Sequence, residues 1–295
     1  MSELLVVGSA NVDLVVETQR RPGAGETVLG GDTRVLPGGK GANTAVAAAK
    51  LGAGTALYGA VGSDEYGELL LDSLGEAGVD TSLVEMTYRP TGIAYITVTP
   101  DGENSILVSP GANNTVEPDR LTDALPGAKV LVASMEIPRA TVERAVLDAA
   151  AAGVRTILNL SPVARVSGEA LAALDILLVN EHEAKWLLDG GDDLTALLSL
   201  GPSAAVVTLG ARGALVVEST GTTELEALRV EAVDTTGAGD AFAGALAAGL
   251  AREVGLVQAA REATWVSAYS VTRAGAQPSY PWATELREWS LLPSR

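Results

Sequence analysis

The stretch DTTGAGD (Asp234–Asp240) runs directly into AFAGALAAGLA over residues 241–251, and this junction decides the fold. The second part contains only small or apolar side chains, so it is predicted to form a tightly packed helix. Glycines before a helix let the backbone approach a ligand, and the free amides of the first turn bind anions. The junction therefore predicts a phosphate site with Asp240 beside it, although a simple N-cap would also place an aspartate there.

Short apolar runs alternate with segments of helical period on both sides of this junction. Such alternation predicts an α/β fold of three layers, with a mostly parallel central sheet and helices on both faces. We predict strands at Leu4–Gly8, Thr55–Ala60, Lys129–Ser134, Thr156–Leu160, Ile176–Val179 and Ala205–Leu209. We predict helices at Asn43–Leu51, Glu65–Ala77, Thr141–Ala152 and Glu181–Leu188.

Two regions interrupt this rhythm, within about residues 12–35 and 91–109. Both alternate apolar and polar residues around a turn signal, RRPGAGE in the first and PDGEN in the second. This pattern predicts hairpins in a small antiparallel β lid over the active face, where it would exclude water during a reaction. A hairpin that merely decorates the sheet edge is the alternative. Because no linker or repeat is evident, we expect residues 1–295 to form a single domain with this lid.

The composition excludes several classes of protein. The chain has 295 residues, with 20 Lys and Arg against 37 Asp and Glu, for a net charge of −17. Since no basic run appears, we expect no nucleic-acid partner. The absence of cysteine excludes disulfides and thiolate zinc sites. A Ser-His-Asp relay is disfavoured because the chain has only one histidine, His182, which is itself a poor candidate for a metal ligand.

We expect a cytoplasmic protein without a membrane partner. The first thirteen residues lack the basic leader and the long apolar stretch of a signal peptide. The apolar runs are four to seven residues long, whereas a membrane span needs about 20. The lack of cysteine also suits a reducing compartment.

The common nucleotide fingerprints are absent. Lys40 is not preceded by the glycine spacing of a P-loop, and the segment that begins at Gly237 fails the dinucleotide pattern G-x-G-x-x-G at Phe242. A P-loop enzyme is therefore rejected, and a Rossmann-type oxidoreductase is disfavoured.

Polar side chains nevertheless follow several of the predicted strands. Open α/β sheets bind ligands at the carboxyl ends of their strands, so these side chains are expected to share one site. Each of them, taken alone, is equally compatible with a cap or a turn. The candidates are Asn11, Asp13, Glu136, Asn180 and Glu183, together with the glycine loop GGKGAN at 38–43.

Five motifs together resemble the ribokinase-like (PfkB) carbohydrate kinase family. They are GGKGAN at 38–43, NxxE at 180–183, TLGARG at 208–213, DTTGAGD at 234–240 and VTRAGAQPS at 271–279. The similarity extends over essentially the whole chain and includes the lid segments. Within the family, GGKGAN and RAGAQPS are more similar to the ribose kinases than to fructokinases or adenosine kinases.

The resemblance implies a role for each matching residue on the sugar side. Asp240 is implied as the base that takes the proton from the acceptor hydroxyl, with Gly237, Ala238 and Gly239 forming an anion hole for the transferred phosphoryl group. The sugar-binding positions implied are Asn11, Asp13, Gly38, Gly39, Lys40, Gly41, Asn43, Glu136 and Asp240.

The resemblance also implies ATP, Mg²⁺ and a monovalent cation, K⁺. Asn180 and Glu183 would position ATP and its magnesium largely through water, with Glu183 in the Mg²⁺ shell. Further nucleotide contacts would come from Thr208, Leu209, Gly210, Ala211, Arg212, Gly213, Gly239, Asp240 and Thr264. The cation would lie at Asp234, Thr236, Ser270, Arg273, Gly275 and Ser279, mostly against backbone carbonyls.

Two positions depart from the family pattern. Thr264 stands where the family often has His or Asn, and NLSPVA at 159–164 replaces the commoner NPAPA. Both changes concern the packing of the nucleotide rather than the reaction.

The resemblance implies ATP-dependent phosphorylation of D-ribose at O5, giving D-ribose 5-phosphate and ADP. A related kinase acting on 2-deoxyribose, another pentose, fructose, adenosine or pseudouridine is the alternative. A catalytically silent sugar-binding regulator on the same fold is the alternative of another class. The family also implies a homodimer formed through the lid sheets.

Overall fold

A computed structural model describes residues 2–101 and 103–290, and the apolar runs of the sequence form its strands. The strands are β1 (Leu4–Val7), β2 (Asn11–Glu17), β3 (Arg34–Gly38), β4 (Thr55–Gly62), β5 (Val84–Thr87), β6 (Gly92–Val98), β7 (Asn104–Ser109), β8 (Val130–Ser134), β9 (Arg155–Asn159), β10 (Ile176–Asn180), β11 (Ala204–Thr208), β12 (Ala214–Glu218) and β13 (Gly221–Leu225).

Helices connect most of these strands. They are α1 (Lys40–Lys50), α2 (Glu65–Glu76), α3 (Leu121–Ala124), α4 (Arg139–Ala151), α5 (Gly168–Ala172), α6 (Glu181–Leu187), α7 (Ala238–Ala251), α8 (Leu256–Ser270) and α9 (Ala283–Ser290). Short 3-10 turns lie at Gly111–Thr115, Leu194–Leu200, Gly210–Arg212 and Gln277–Ser279. In the described part of the chain, no helix combines the length and the apolar character that a membrane crossing requires.

The main sheet has nine strands in the order β13-β12-β11-β10-β9-β8-β1-β4-β5. All neighbours from β11 to β5 pair in parallel, whereas β11 with β12 and β12 with β13 pair antiparallel at one edge. Strand β1 lies between β4 and β8, so the strand order reverses beside it. Such a reversal opens a crevice at the carboxyl ends of the strands, which is where parallel sheets bind ligands.

Both faces of this sheet are covered, as the continuous apolar strands predict. Alternate residues of β1 point to opposite sides, so that Leu4 and Val6 enter one core while Leu5 and Val7 enter the other. Helices α1, α2, α7 and α8 pack on the first face, and α4, α5 and α6 pack on the second. The prediction of a three-layer α/β fold is confirmed.

The small sheet has the order β3-β2-β6-β7. Its outer pairs are antiparallel, as predicted, whereas the central pair of β2 with β6 is parallel. The two strands run the same way because each begins beside the main sheet, at Asn11 and at Gly92. Residues 18–33 form no strand, so the first predicted hairpin has a wide loop instead of a tight turn. Gly102 of the second turn lies outside the described residues, and the single-domain arrangement stays a prediction.

Helices α1 and α7 pack through very small side chains. Gly244 lies where a Cβ atom would come within 2.5 Å of the Thr44 carbonyl oxygen and 2.7 Å of the Ala47 Cβ. This contact holds the starts of the two helices together at the carboxyl edge of the sheet. The run AFAGALAAGLA therefore serves close helix approach as well as helix formation.

Replacing Gly244 with alanine is expected to lower the free energy of unfolding by about 1–3 kcal/mol, because α1 and α7 must separate to admit the methyl group. Gly75 in α2 is the matched control, since a Cβ atom there would meet nothing within 4 Å. Gly75→Ala should stabilise the protein by roughly 0.5–1 kcal/mol through helix propensity. Urea unfolding measures both variants, and equal effects at the two sites would contradict the packing argument.

Candidate active site

Four acidic side chains and one lysine converge at the carboxyl ends of the strands. Asp13 lies on β2, Glu136 follows β8, Glu183 lies in α6, and Asp240 lies in the first turn of α7. Burial lowers the pKa of Lys40, but the charges of all four carboxylates raise it, so that the net pKa lies above its ordinary value. All four carboxylates therefore lie within electrostatic reach of Lys40.

Asp13 has a free carboxylate in this cluster. Burial, and then the charges of Glu136 and Asp240, raise its pKa to about 7, although Lys40 acts in the opposite direction. Its carboxyl group lies against Gly38, where any Cβ atom would overlap it. Within residues 2–101 and 103–290, no hydrogen bond reaches the Asp13 carboxylate. It is therefore available to accept hydrogen bonds from the hydroxyls of a ligand.

Asp240 is held on one side only. The Asn43 Nδ2 atom donates to Asp240 Oδ2 at 2.9 Å. Burial raises the pKa of Asp240, while Lys40 and the Asn43 hydrogen bond lower it, and the net pKa lies above the ordinary value. No group in the described part of the chain donates to Oδ1. A carboxylate with a raised pKa and one free oxygen is suited to act as a general base.

The turn before α7 provides free backbone amides beside Asp240. Gly237 has a left-handed φ of 71°, and a Cβ atom there would overlap the Tyr280 hydroxyl, which donates to the Gly237 carbonyl oxygen at 3.0 Å. The Ala238 amide donates to the Thr235 carbonyl oxygen at 3.2 Å. The amides of Gly239 and Asp240 have no acceptor among the described residues. Free amides at the positive end of a helix dipole are suited to bind an anion.

The glycine loop before α1 packs directly on the end of β1. Gly39 has a left-handed φ of 91°, and a Cβ atom there would come within 2.5 Å of the Asn11 amide nitrogen. A Cβ atom on Gly41 would lie 2.5 Å from the Gly8 carbonyl carbon. Only glycine fits at these two positions, because backbone meets backbone on both sides of the loop.

Glu136 joins this loop to the end of β1. Its Oε2 atom accepts from the Ser9 hydroxyl at 2.6 Å, from Asn11 Nδ2 at 3.2 Å and from the Lys40 backbone amide at 3.3 Å. The carboxylate thereby fixes the orientation of the Asn11 amide and the start of α1. One acceptor oxygen thus joins three of the predicted sugar-side residues, Asn11, Lys40 and Glu136 itself.

Asn180 and Glu183 form a capping box at the start of α6. The Glu183 amide donates to Asn180 Oδ1 and the Asn180 amide donates to Glu183 Oε2, each at 2.8 Å. The cap alternative is therefore correct for both side chains, yet it leaves Glu183 Oε1 free. The field of Glu183 acts on Lys40 and on Asp240, so this carboxylate lies at the same crevice.

The crevice offers Mg²⁺ the free carboxylate oxygen of Glu183. Among the described residues, no group of three or more His, Asp or Glu side chains could hold a metal ion. A Mg²⁺ ion that enters with a nucleotide would take phosphate oxygens and water as its further ligands, with Glu183 in its shell. His182 is exposed on α6 and belongs to no metal cluster.

The predicted nucleotide loop lies beside this capping box. Asn180 and Thr208 are aligned neighbours in the pairing of β10 with β11. The loop closes through the Leu209 amide, which donates to the Gly213 carbonyl oxygen at 2.8 Å, and Arg212 forms an ion pair with Glu181.

Thr264 is not joined to this loop. It lies in the middle of α8, where its hydroxyl donates to the Arg261 carbonyl oxygen of its own helix at 2.7 Å. No other hydrogen bond of its side chain exists within the described residues. A contact with a nucleotide through the Thr264 hydroxyl would have to break or share this bond.

Asp234 joins the two segments predicted to hold a monovalent cation. Its Oδ1 accepts from the Thr236 amide at 2.9 Å and its Oδ2 accepts from the Gly275 amide at 2.8 Å. Burial raises the pKa of Asp234, but these hydrogen bonds outweigh burial and leave it below the ordinary value. Both carboxylate oxygens are thus engaged with backbone, which leaves carbonyl oxygens as the donors for an ion.

The remaining predicted cation residues use their side chains within the protein. The Ser270 hydroxyl donates to the Ser267 carbonyl oxygen at 2.9 Å, and the Ser279 hydroxyl donates to the Ala276 carbonyl oxygen at 2.7 Å. The Arg273 guanidinium lies 3.8 Å from the centre of the Tyr269 ring. The cation site stays a prediction that depends on backbone carbonyls.

Sequence reasoning missed four residues that hold the site together. Asn113 donates to Asn11 Oδ1 at 2.7 Å, and Ser9, Gln277 and Tyr280 make the contacts with Glu136, Asn43 and Gly237. Gln277 lies inside the motif VTRAGAQPS, so a signal for it existed. Asn113, in the segment GANNT after strand β7, offered no pattern of its own.

A cavity of about 900 Å³ lies at the opposite edge of the sheet, at the amino ends of β8 to β11. Its charged groups already serve the fold. Lys129 pairs with Glu3 at 3.2 Å and with Glu253 at 3.6 Å, and Asp175 accepts from the Thr156 amide at 2.8 Å. None of the residues predicted for the site lines this cavity.

Comparison with known proteins agrees with this geometry. Residues 1–283 match the model of the pfkB family carbohydrate kinases. Ribokinase of Bacillus subtilis (strain 168) is 39% identical over 296 residues, covering 98% of this chain and 99% of that protein. A deoxyribokinase of Salmonella typhi is 34% identical over 303 residues, with coverage of 98% and 99%. The structure of Arabidopsis thaliana ribokinase complexed with ribose and ATP has a TM-score of 0.91 and 30% identity, covering 99% of each chain.

The chain therefore belongs to the pfkB family of carbohydrate kinases, and the resemblance read from its five motifs is confirmed. It is an ATP-dependent sugar kinase by membership of this family. The fold class is confirmed by the same structural similarity.

The buried carboxylate of Asp13 should destabilise the ligand-free protein at neutral pH. Its pKa in the folded state, about 7, lies above the ordinary value of 3.8, so folded protein loses stability as pH rises from about 4 to about 7. The penalty is fully present above pH 7 and disappears below pH 4. Asp13→Asn should therefore raise the free energy of unfolding at pH 8 by roughly 2–4 kcal/mol, with a smaller gain at lower pH.

Thermal unfolding of both proteins from pH 4 to pH 8 measures this difference. Asp72→Asn on the exposed side of α2 is the control and should leave the curves parallel. An Asp13→Asn variant no more stable than the parent at pH 8 would show that Asp13 carries no buried charge.

Proposed function

We propose that this chain transfers the γ-phosphoryl group of ATP to O5 of D-ribose, giving D-ribose 5-phosphate and ADP. The observation that carries the proposal is the buried Asp240 carboxylate, which is fixed through Oδ2 by Asn43 and free at Oδ1. Free amides of the same helix turn lie beside it. Relatives named ribokinase, and the structure named as a complex with ribose and ATP, support the choice of both substrates.

On the sugar side, the carboxylate of Asp13 is the group best suited to two hydroxyls. An ionised carboxylate accepts two hydrogen bonds and donates none, which matches a vicinal diol. Asn11 lies two residues away on the same face of β2 and favours a sugar that carries both the 2- and the 3-hydroxyl. The proposed sugar-binding residues are Asn11, Asp13, Gly38, Gly39, Lys40, Gly41, Asn43, Glu136 and Asp240.

Asp240 acts as the base in the transfer step. The O5 oxygen forms its bond to phosphorus while the bond from phosphorus to the ADP oxygen breaks, and the O5 proton passes to Asp240 Oδ1. A primary alcohol is a far weaker acid than a carboxyl group, so this proton moves late, once bond formation has acidified the hydroxyl. Until then Asp240 orients the nucleophile. Burial raises the pKa of Asp240 and makes it a stronger base than an exposed aspartate.

The anion hole receives the charge that develops on the phosphoryl oxygens. It consists of Gly237, Ala238, Gly239 and the Asp240 amide, and the Gly239 and Asp240 amides are free to donate without rearrangement. Preorganised donors of this kind are a large source of rate enhancement in phosphoryl transfer. Mg²⁺ bound with ATP neutralises phosphate charge, which matters in a chain of net charge −17.

The nucleotide is proposed to lie along the ends of β10 and β11. Glu183 is the residue that faces the magnesium shell through its free oxygen. The other proposed nucleotide contacts are Asn180, Thr208, Leu209, Gly210, Ala211, Arg212, Gly213, Gly239, Asp240 and Thr264.

The lid suggests how the site is covered and how two chains associate. One face of its sheet carries exposed Val35, Tyr95 and Leu107, which lie on three of the four strands. Apolar residues clustered in this way support the homodimer that family membership implies, formed through the lid sheets.

A kinase for 2-deoxyribose is the second candidate, because a deoxyribokinase is among the similar proteins at 34% identity. The intact base and anion turn disfavour a silent sugar-binding regulator, since neither is needed for binding alone. Fructose, adenosine and pseudouridine remain the further acceptors against which ribose must be compared.

Asp240→Asn should lower kcat by about 10³-fold or more, because the amide cannot accept the hydroxyl proton. Ribose binding should be retained, since the asparagine keeps the shape of the side chain. A coupled assay of ADP release gives kcat, and calorimetric titration gives ribose affinity. Asp72→Asn on the surface is the control, and near-normal turnover of Asp240→Asn would show that another group is the base.

The same assay identifies the acceptor. Ribose should give a higher kcat/KM than 2-deoxyribose, fructose, adenosine or pseudouridine. A preference for 2-deoxyribose would replace the ribose assignment while leaving Asp240 as the base. Absence of turnover with every acceptor, in the presence of Mg²⁺ and K⁺, would favour the sugar-binding regulator.

Potassium is expected to activate the enzyme through Asp234, Thr236, Ser270, Arg273, Gly275 and Ser279. A cation held by backbone carbonyls next to the anion hole adds positive potential where phosphoryl charge develops. Replacing K⁺ with Na⁺ or Li⁺ at constant ionic strength should therefore lower kcat severalfold. Indifference of kcat to the identity of the cation would remove this part of the proposal.

A further inference from the structure

A chain of hydrogen-bonded side chains leads from helix α2 to the proposed base. The Ser73 hydroxyl donates to Gln277 Oε1 at 2.8 Å, and Gln277 Nε2 donates to Asn43 Oδ1 at 3.1 Å. Asn43 Nδ2 then donates to Asp240 Oδ2 at 2.9 Å. Three members of the chain are almost fully buried, with exposed fractions of 3% for Gln277, 5% for Asn43 and 6% for Asp240.

The direction of every bond in this chain follows from the carboxylate at its end. An ionised carboxylate only accepts, so Asn43 must turn its NH₂ group toward Asp240. The side-chain oxygen of Asn43, Oδ1, then needs a donor, which only the NH₂ group of Gln277 supplies among the described residues. The side-chain oxygen of Gln277, Oε1, in turn needs the Ser73 hydroxyl. Buried networks of this kind hold one orientation when every member is satisfied.

The backbone around Gln277 is fixed as well. Lys50 Nζ donates to the backbone carbonyl oxygen of Gln277 at 2.8 Å and to the backbone carbonyl oxygen of Tyr280 at 3.2 Å. The Tyr280 hydroxyl reaches Gly237 in the anion turn. Segment 277–280 therefore contacts both the residue that holds the base and the turn that would receive the phosphoryl group.

We propose that Gln277 is a positioning residue for Asp240, which it controls through the amide of Asn43. With Gln277 in place, the Asn43 amide has one orientation, Asp240 Oδ2 is held, and Oδ1 is directed at the acceptor alcohol. Without it, the Asn43 amide is free to turn over and present its oxygen to the carboxylate, which repels it. This inference rests on the proposed role of Asp240 as the base.

A double-mutant cycle between Gln277 and Asn43 tests the proposal. Gln277→Met keeps the volume of the side chain but cannot donate, so kcat should fall roughly 10- to 100-fold through loss of alignment. KM for ATP should change by less than about twofold, because only the base is displaced. In an Asn43→Ala background, Gln277→Met should have no further effect on kcat, since its route to Asp240 is already cut.

Two controls separate positioning from other effects. Gln258→Met makes the same change on the exposed side of α8 and should leave kcat unchanged, because the Gln258 side chain hydrogen-bonds only to Glu262, at 3.3 Å, among residues 2–101 and 103–290. The K⁺ concentration for half-maximal activity is measured for Gln277→Met, because Gln277 lies between Gly275 and Ser279. An unchanged value supports positioning, and a kcat loss fully reversed by excess K⁺ would overturn it.

The outcomes distinguish this inference from the proposed function. If Gln277→Met keeps the parental kcat, or lowers kcat by the same factor with and without Asn43, the positioning role is wrong even though Asp240→Asn is inactive. If Asp240→Asn is active, the proposed function itself fails.

If Gln277→Met does not fold, Ser73 provides the test. Ser73→Ala should lower kcat about 3- to 10-fold by removing the outermost donor, and Ser73→Thr, which keeps the hydroxyl, should restore it. Equal kcat values for the parent, Ser73→Ala and Ser73→Thr would overturn the proposal.

Discussion

The close approach of helices α1 and α7 is the constraint on which the site depends. The hydrogen bond from Asn43 to Asp240 joins the starts of these two helices, and a bond of 2.9 Å between them requires their backbones to pack without large side chains. Gly244 and the alanines around it meet that requirement. The composition of α7 is therefore dictated by the distance between two functional groups on different helices, and not by helix formation alone.

The second constraint is electrostatic. In the described part of the chain, Lys40 is the one cation among the four carboxylates, so the ligand-free crevice holds more negative charge than Lys40 can neutralise. Burial and repulsion keep the pKa values of Asp13 and Asp240 above those of exposed aspartates. This repulsion lowers the stability of the ligand-free fold, and the same carboxylates are the groups proposed to meet sugar hydroxyls. Under that proposal, hydroxyl donors and a cation bound with the nucleotide would relieve the repulsion as the substrates bind.

The sequence predicts the local parts of this arrangement well. The small-residue helix after DTTGAGD, the buried strand β1 and the glycine loop before α1 all follow from patterns within about ten residues. The missed features join residues far apart in the chain, such as Asn113 with Asn11 and Gln277 with Asn43. The parallel pairing of β2 with β6 likewise depends on where both strands begin in space. The capping box at Asn180 is visible in the sequence as NxxE. Only the structure shows that the box engages one carboxylate oxygen of Glu183 and leaves the other free.

Strand β3 ends at Gly38, which pairs with Asn11 in the small sheet, and helix α1 begins only two residues later at Lys40. Gly39 is the single residue between the small sheet and helix α1 at the crevice. A displacement of the small sheet would therefore act on the Asn43 end of α1 through about three residues of chain. With Asp240 as the proposed base, opening the crevice to solvent would also loosen the Asn43 contact that holds this carboxylate, so that product release and relaxation of Asp240 would occur together.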